Sequence, residues 1–157
     1  IEQIDALSKP DEKATVVFRP DWNKGVIGIV ASRLMEYYYR PTIVLTKSEN
    51  IYSGSARSVK GFDIYESISN CSSHLIQFGG HKYAAGLTLS PEKYNDFKKE
   101  FNRVVSDNIL PNQLVPSFEY DLEDWTSNGN GGNAFYAIST YVVLKSNSEI
   151  VPAVIQD

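Results

Sequence analysis

Three short stretches of this sequence set small residues beside groups that could grip an anion. The first is GGHKYAAG, Gly79 to Gly86, with two glycines, an imidazole and a lysine in a row. Adjacent glycines let backbone N–H groups turn together toward an anion, and His81 and Lys82 can add side-chain donors to the same oxygens. Ala84, Ala85 and Gly86 are small enough for the strand that follows to lie close to a ligand. The second is GSARSVKG, Gly54 to Gly61, where Arg57 can hold a phosphate in fork geometry, the Ser55 and Ser58 hydroxyls can assist, and Lys60 adds charge. The third is DWNKGVIGIVASRL, Asp21 to Leu34, in which Asn23, Gly25 and Gly28 stand where a loop enters a helix, a natural place for an anion. Each stretch also has a plain structural account. Gly79-Gly80 serves as a turn, Arg57 pairs with Asp63 or Glu66 on the surface, and Gly28 packs a helix closely on a sheet.

The elements that must position these residues follow from periodicity. Thr15 to Phe18 is a β-branched and aromatic run ending at Arg19-Pro20, which predicts a buried strand and then a loop. Ile27, Ala31, Leu34 and Tyr38 recur at helical spacing, and Arg40-Pro41 closes that helix because the residue before proline is driven out of the α region. Thr42 to Thr46 and the stretch from Ile51 predict two strands separated by the polar KSEN. Asp63 with Glu66 three residues on resembles a capping box, and Ile64, Ile68, Cys71 and Leu75 form one helical stripe that Gly79-Gly80 should break. Ala84 to Leu89 reads as a strand. Ser90-Pro91-Glu92 then supplies a cap, a first-position proline and an acidic first turn for a helix whose inner face is Tyr94, Phe97, Phe101 and Val104, ending before Pro111. Alternating strands and helices predict an α/β fold, a mixed sheet with packed helices. We expect this domain to occupy residues 1–113. The tail, 114–157, is β-rich and left unassigned: FEYDLEDW can begin a strand, TSNGNGGN is a polar tract, and YAISTYVVLKSNSEIVPAVIQD holds strand-like pieces.

Composition bounds the reading. A chain of 157 residues suits one well-cored domain, with room for the start of a second. No apolar run approaches the ~20 residues of a membrane-spanning helix, and the opening IEQIDALSKPDEK has no secretory pattern, so no membrane partner is expected. One cysteine, Cys71, fits a reducing compartment, and a cytoplasmic location is the expectation. The net charge of −4 runs against a broad nucleic-acid surface, because Lys and Arg supply most non-specific affinity. The acidic residues Glu119, Asp121, Glu123 and Asp124 lie late, away from the three stretches, so a local cationic site remains open. Cys71, His74 and His81 are the only thiol or imidazole ligands, and they do not make a complete catalytic metal site.

Taken together, GVIGIVASRL, RPTIVL, GSARS, GFDIYE and QFGGHKYAAGL resemble, in order and spacing, the DHH-associated domain of RecJ, over roughly Thr15 to Val105. The Gly-Gly-His-x-x-Ala-Ala-Gly signature is that of the DHH phosphoesterase superfamily. The resemblance implies part of a 5′-to-3′ single-stranded-DNA exonuclease, acting with a DHH domain that binds Mn2+ or Mg2+ through aspartates and histidines. It implies that Arg57 holds a DNA phosphate, that Gly79, Gly80 and His81 face the scissile or terminal nucleotide, with His81 supporting catalysis, and that Gly86 keeps the wall close. Where family members often carry histidine this chain has Asn23, which puts that contact in question. RecJ chains usually continue into an oligonucleotide-binding β domain, whose proline- and glycine-rich opening is not visible after Glu123. Two other readings are the equivalent domain of an oligonucleotide or nucleotide phosphodiesterase and a non-catalytic nucleic-acid-binding module such as that of alanyl-tRNA synthetase. The latter typically lacks the histidine, so His81 separates them.

Overall fold

The computed structural model describes residues 12–116, 136–138, 141–146 and 149–154, and these fall into two compact units that divide between Val115 and Pro116. In the first unit, strand β1 (Thr15–Phe18), helix α1 (Ile27–Tyr38) and strand β2 (Thr42–Ser48) form a parallel β-α-β step, with Thr15 beside Thr42. α1 ends through Tyr39 in the left-handed region, two residues ahead of Pro41. β2 returns through a tight hairpin at Glu49-Asn50 into β3 (Ile51–Arg57), which pairs with it antiparallel. Two further strands, β4 (Gln77–His81) and β5 (Ala84–Leu89), complete a five-stranded mixed sheet in the order β1-β2-β3-β5-β4. This is the α/β architecture expected from the sequence.

The pleat divides the sheet between two cores. Val17 and Val44 point to the side where Ile27, Ala31 and Leu34 of α1 pack. Their neighbours Val16, Ile43 and Leu45 point to the other side, with Ala56, Ala85, Leu87 and Leu89. That larger core is closed by helix α2 (Ile64–Ser69) and helix α3 (Tyr94–Asn108), through Ile64, Ile68, Phe97, Phe101, Val104 and Val105. Burying each such phenylalanine contributes about 1.5–3 kcal/mol, so α3 supplies much of what holds this face together.

Two helices differ from expectation. Asp63 caps α2 by accepting from the Glu66 N–H at 3.0 Å, yet α2 stops at Ser69. A 3₁₀ turn at Ser72–His74 follows, and Leu75 is already extended. Gly79-Gly80 therefore does not break a helix; it sits inside β4, an exposed edge strand with too few apolar residues to show a period of two. At the third helix, Pro91–Lys93 forms a 3₁₀ turn before α3 begins, and the Ser90 hydroxyl makes no capping bond to it.

In the second unit, strands β6 (Tyr136–Ile138), β7 (Tyr141–Ser146) and β8 (Glu149–Val154) form a separate antiparallel sheet in chain order. The FEYDLEDW and TSNGNGGN stretches, like the first eleven residues, lie outside the described residues.

Cys71 is fully buried in the larger core, and this burial, with a smaller push from Glu100, raises its thiol from 9.0 to about 12. The protonated thiol is thus favoured in the folded state; its contribution to stability is intact below about pH 9 and is lost as pH rises toward 12. Cys71 should resist a chromogenic disulfide reagent at pH 8 and react fully once denaturant unfolds the chain. Rapid labelling of the folded protein would show that the α2–α3 core is not closed as described.

Candidate nucleic-acid interface

The register of the sheet gathers the three stretches. Across β3, β5 and β4 run three rows of partners: Ser53, Thr88 and Gln77; Ser55, Gly86 and Gly79; Arg57, Ala84 and His81. Because successive residues of a strand alternate faces, all nine lie on one face, opposite Ala56, Ala85 and Leu87 of the larger core. α1 covers this face over β2 and β3 and leaves it open over β5 and β4. The result is a groove of about 550 Å³, with Lys24, Gly25, Ile27 and Gly28 on one wall and Ser53, Ser55, Gly86, Gly79, Thr88 and Gln77 among its floor residues.

The wall is set by the loop between β1 and α1. The Thr46 hydroxyl donates to the Trp22 carbonyl at 2.6 Å, and Trp22 packs beside Val17 and Ile27. The Asn23 Oδ1 accepts the Gly25 N–H at 2.7 Å and its carbonyl accepts from Val26 at 3.0 Å, which closes the turn into α1. Asparagine thus has a definite role here, as the turn that presents Gly25, and it is not among the groove-lining residues. No side chain caps α1, and among the described residues no acceptor takes the Ile27 and Gly28 N–H groups, which open the helix beside the groove. Asp21, the nearest carboxylate in sequence, is engaged by Arg19 at 3.3 Å, and that hydrogen bond holds its carboxyl below the usual range.

Arg57 lies against α1. Its Nε donates to Ser32 Oγ at 3.2 Å, and its Nη1 donates to Ser55 Oγ at 3.0 Å and to the Ala56 carbonyl at 2.7 Å. The surface pairing with Asp63 or Glu66 is not what the structure has; among the described residues Arg57 meets no carboxylate. Its Nη2 comes within 3.1 Å of where a Gly28 Cβ would stand. Ser58, by contrast, does not join the site: it is buried and donates to the Phe62 carbonyl at 2.9 Å.

The Gly79–Gly86 stretch is a β-hairpin, not a helix-to-strand junction. Its Lys82-Tyr83 turn is pinned from below, since Ser58 N–H donates to the Tyr83 carbonyl at 3.1 Å and Ile64 N–H to the Lys82 carbonyl at 3.0 Å. Lys82 is exposed at the tip, 5.6 Å over the Tyr83 ring, and outside the groove lining. His81 Nδ1 accepts the Tyr83 N–H at 3.3 Å, so the proton of the neutral ring sits on Nε2, free to donate. The glycines differ sharply. Gly80 has φ of +150°, and a Cβ there would come within 2.3 Å of the Ala84 carbonyl oxygen, so the fold requires glycine. A Cβ on Gly79 would meet nothing within 4 Å, and one on Gly86 only the Gly54 carbonyl at 3.9 Å. The bare floor under the groove is therefore not needed for packing.

The lining offers an anion hydroxyls, an ammonium and helix N–H groups, over a floor that a flat ring or sugar can approach closely; Arg57 and His81 are not lining residues, and the Arg57 guanidinium stands beside the groove against Gly28. This donor set does not suit a divalent metal. The groove lining has no carboxylate or imidazole, and among the described residues no three His, Cys, Asp or Glu side chains gather to hold one.

The DHHA1 domain family model matches residues 11–107, the span that builds this sheet and groove. The chain belongs to the DHHA1 domain family. It is 43% identical over 114 residues to the single-stranded-DNA-specific exonuclease RecJ of Bacillus subtilis, covering 71% of this chain but 14% of that protein. It is similar in structure to an exonuclease RecJ crystallised with manganese, with TM-score 0.63, 27% identity, and coverage of 72% of this chain and 28% of that one. A likeness of another kind, 46% identical over 50 residues, is to peptide-N(4)-(N-acetyl-beta-D-glucosaminyl)asparagine amidase F of Elizabethkingia miricola, covering 30% of this chain and 14% of the amidase. The DHHA1 domain here is thus related to part of RecJ, and the chain spans a small fraction of the RecJ protein it matches.

Of the residues singled out in the sequence, Ser55, Gly25, Gly28, Gly79 and Gly86 line the groove and Arg57 lies beside it; Lys24, Ser53, Gln77 and Thr88 also line it, and Ser32 contacts Arg57, without having been singled out. Alternation along β3 and β5 would have placed Ser53 and Thr88 beside Ser55 and Gly86. Nothing in a helical serine marks Ser32. The glycine geometry makes a direct test: Gly80→Ala should cost about 1–3 kcal/mol of stability, whereas Gly79→Ala and Gly86→Ala should leave thermal melting unchanged or slightly higher. Equal losses in all three variants would mean that the floor glycines are structural.

Proposed function

We propose that this DHHA1 domain is the strand-gripping part of a RecJ-like 5′-to-3′ exonuclease that hydrolyses single-stranded DNA. The observation that carries the reading is Arg57, a guanidinium free of carboxylate partners beside a groove whose floor glycines the fold does not need. A backbone phosphate sits at the Arg57 fork with help from Ser55 and the opening N–H groups of α1, while Lys24 adds charge along the wall. The sugar or base next to it lies over Gly79 and Gly86, where any side chain would intrude. His81 stands across the sheet from Arg57, two strand spacings or roughly 10 Å away, and its Nε2–H serves a phosphoryl oxygen that gains charge during attack. Gly80 and Lys82 shape and charge the hairpin tip rather than the floor.

The cleavage chemistry is assigned to a metal-binding DHH domain of the same protein, with Mn2+ or Mg2+ activating water there, since this groove offers no ligand set for the ions. Single-stranded DNA is the partner we assign, following the RecJ relative's own description. A cytoplasmic setting goes with that role; among the described residues no helix is long and apolar enough to cross a membrane.

The 157-residue chain should release no nucleotides from a labelled single strand, with or without manganese. It should bind the strand weakly and lose it as salt rises, because few cations face the groove and the net charge is −4. Arg57→Ala should weaken that binding by about 1.5–3 kcal/mol with folding unchanged. An Arg57→Ala chain that binds as well as the parent, followed by fluorescence anisotropy at low ionic strength, would sink the proposal.

A further inference from the structure

We infer that Ser32, inside α1, is the positioning residue that holds Arg57 in its phosphate-facing geometry, with Gly28 leaving the space for it; this rests on the groove reading above. The hydroxyl of Ser32 donates to the Gly28 carbonyl one turn back at 3.1 Å, which commits its only proton. Its lone pairs therefore face outward and accept the Arg57 Nε at 3.2 Å. Nη1 has two protons, and both are used, on Ser55 Oγ and the Ala56 carbonyl. Three of the five guanidinium N–H groups are thus tied to the fold, and the two on Nη2 have no partner among the described residues. Nη2 stands 3.1 Å from where a Cβ on Gly28, a residue of the groove wall, would be. The free edge of the fork therefore lies against a residue of that wall, although Arg57 itself is not among the lining residues.

Arginine has a long, flexible stem whose rotamer freedom must be lost when it grips an anion. Here that loss is incurred when the domain folds, so a phosphate meets a fork already aimed. Serine at this position is not explained by the helix itself, because alanine is the better helix former and a hydroxyl bonded back to the preceding turn slightly weakens a helix. Gly28 and Ser32 are four residues apart and so share the face of α1 that lies toward β3. A Cβ on Gly28 would stand 3.1 Å from Nη2 and 3.4 Å from Ser55 Oγ, close enough to displace the guanidinium.

The test is a double-mutant cycle on the 157-residue chain, with a fluorescent thymidine single strand of about a dozen nucleotides as probe at low ionic strength. Arg57→Ala should weaken binding about ten- to a hundredfold, and Ser32→Ala about three- to tenfold, with the melting temperature of each unchanged. In the Arg57→Ala background Ser32→Ala should cost nothing more. Ser32→Thr, which keeps the hydroxyl, should recover binding to within about twofold of the parent. If Ser32→Ala binds like the parent while Arg57→Ala is weak, or if the two losses multiply, Ser32 does not act through Arg57 and the inference is overturned with the groove reading intact. If Ser32→Ala melts early, a Ser32→Thr chain that melts normally but binds as poorly as Arg57→Ala overturns it equally, and one that binds normally supports it. If Arg57→Ala itself binds like the parent, the groove reading fails first.

Discussion

The pairing of β3 with β5 and β4 fixes everything else about the site. Ser55 stands opposite Gly86 and Gly86 opposite Gly79, while Arg57 and His81 flank Ala84 one row further along. Since the side-chain period of a strand is two, slipping one of these strands by a single residue would turn its half of the groove into the core and push Ala56 or Leu87 into water. The burial of Leu87, Leu89 and Ala56 against α2 and α3 therefore does more than stabilise the sheet. It determines which residues face the groove. The hairpin tip adds a second lock, because the Lys82 and Tyr83 carbonyls accept from Ile64 and Ser58 and so tie β4 to the segment after β3.

The two faces of the sheet have unequal tasks. On the core face glycine appears where bulk is forbidden: a Cβ on Gly54 would come within 2.6 Å of Leu45 Cδ2. On the groove face glycine appears where bulk would be harmless to the protein, at Gly79 and Gly86. Absence of a side chain without a packing reason, repeated at two directly paired positions, points to something outside the chain that needs the room. The cations then matter by placement. A net charge of −4 is compatible with a phosphate site because Asp21 is engaged by Arg19, and Glu100 and Asp107 of α3 pair with Arg103 on the opposite side of the sheet.

Much of this was legible in the sequence where burial imposes a period. β1, α1, β2, β3, β5 and the inner face of α3 each carry apolar residues at the spacing of their element, and they form as read. β4 was not legible, because an exposed edge strand containing two glycines and a histidine has no apolar alternation to show. Its neighbour α2 was read too long for a related reason: Cys71 and Leu75 are apolar and continue the helical stripe, but they reach the core through a 3₁₀ turn and an extended segment. The candidate site divides in the same way. Motif likeness singled out Arg57 and the glycines as candidates, whereas the burial of Ser58 and the engagement of Ser32 depend on where hydroxyls point, and that is a property of the assembled fold.

The most direct measurement of the central claim is a backbone amide titration of the isotopically labelled chain with a short thymidine single strand. The account predicts that shifts concentrate at Gly25, Ile27, Gly28, Ser55, Gly79 and Gly86, with the Arg57 side-chain signals moving alongside them. Shifts confined to α3 or to the strands after Pro116, with the groove amides still, would contradict it.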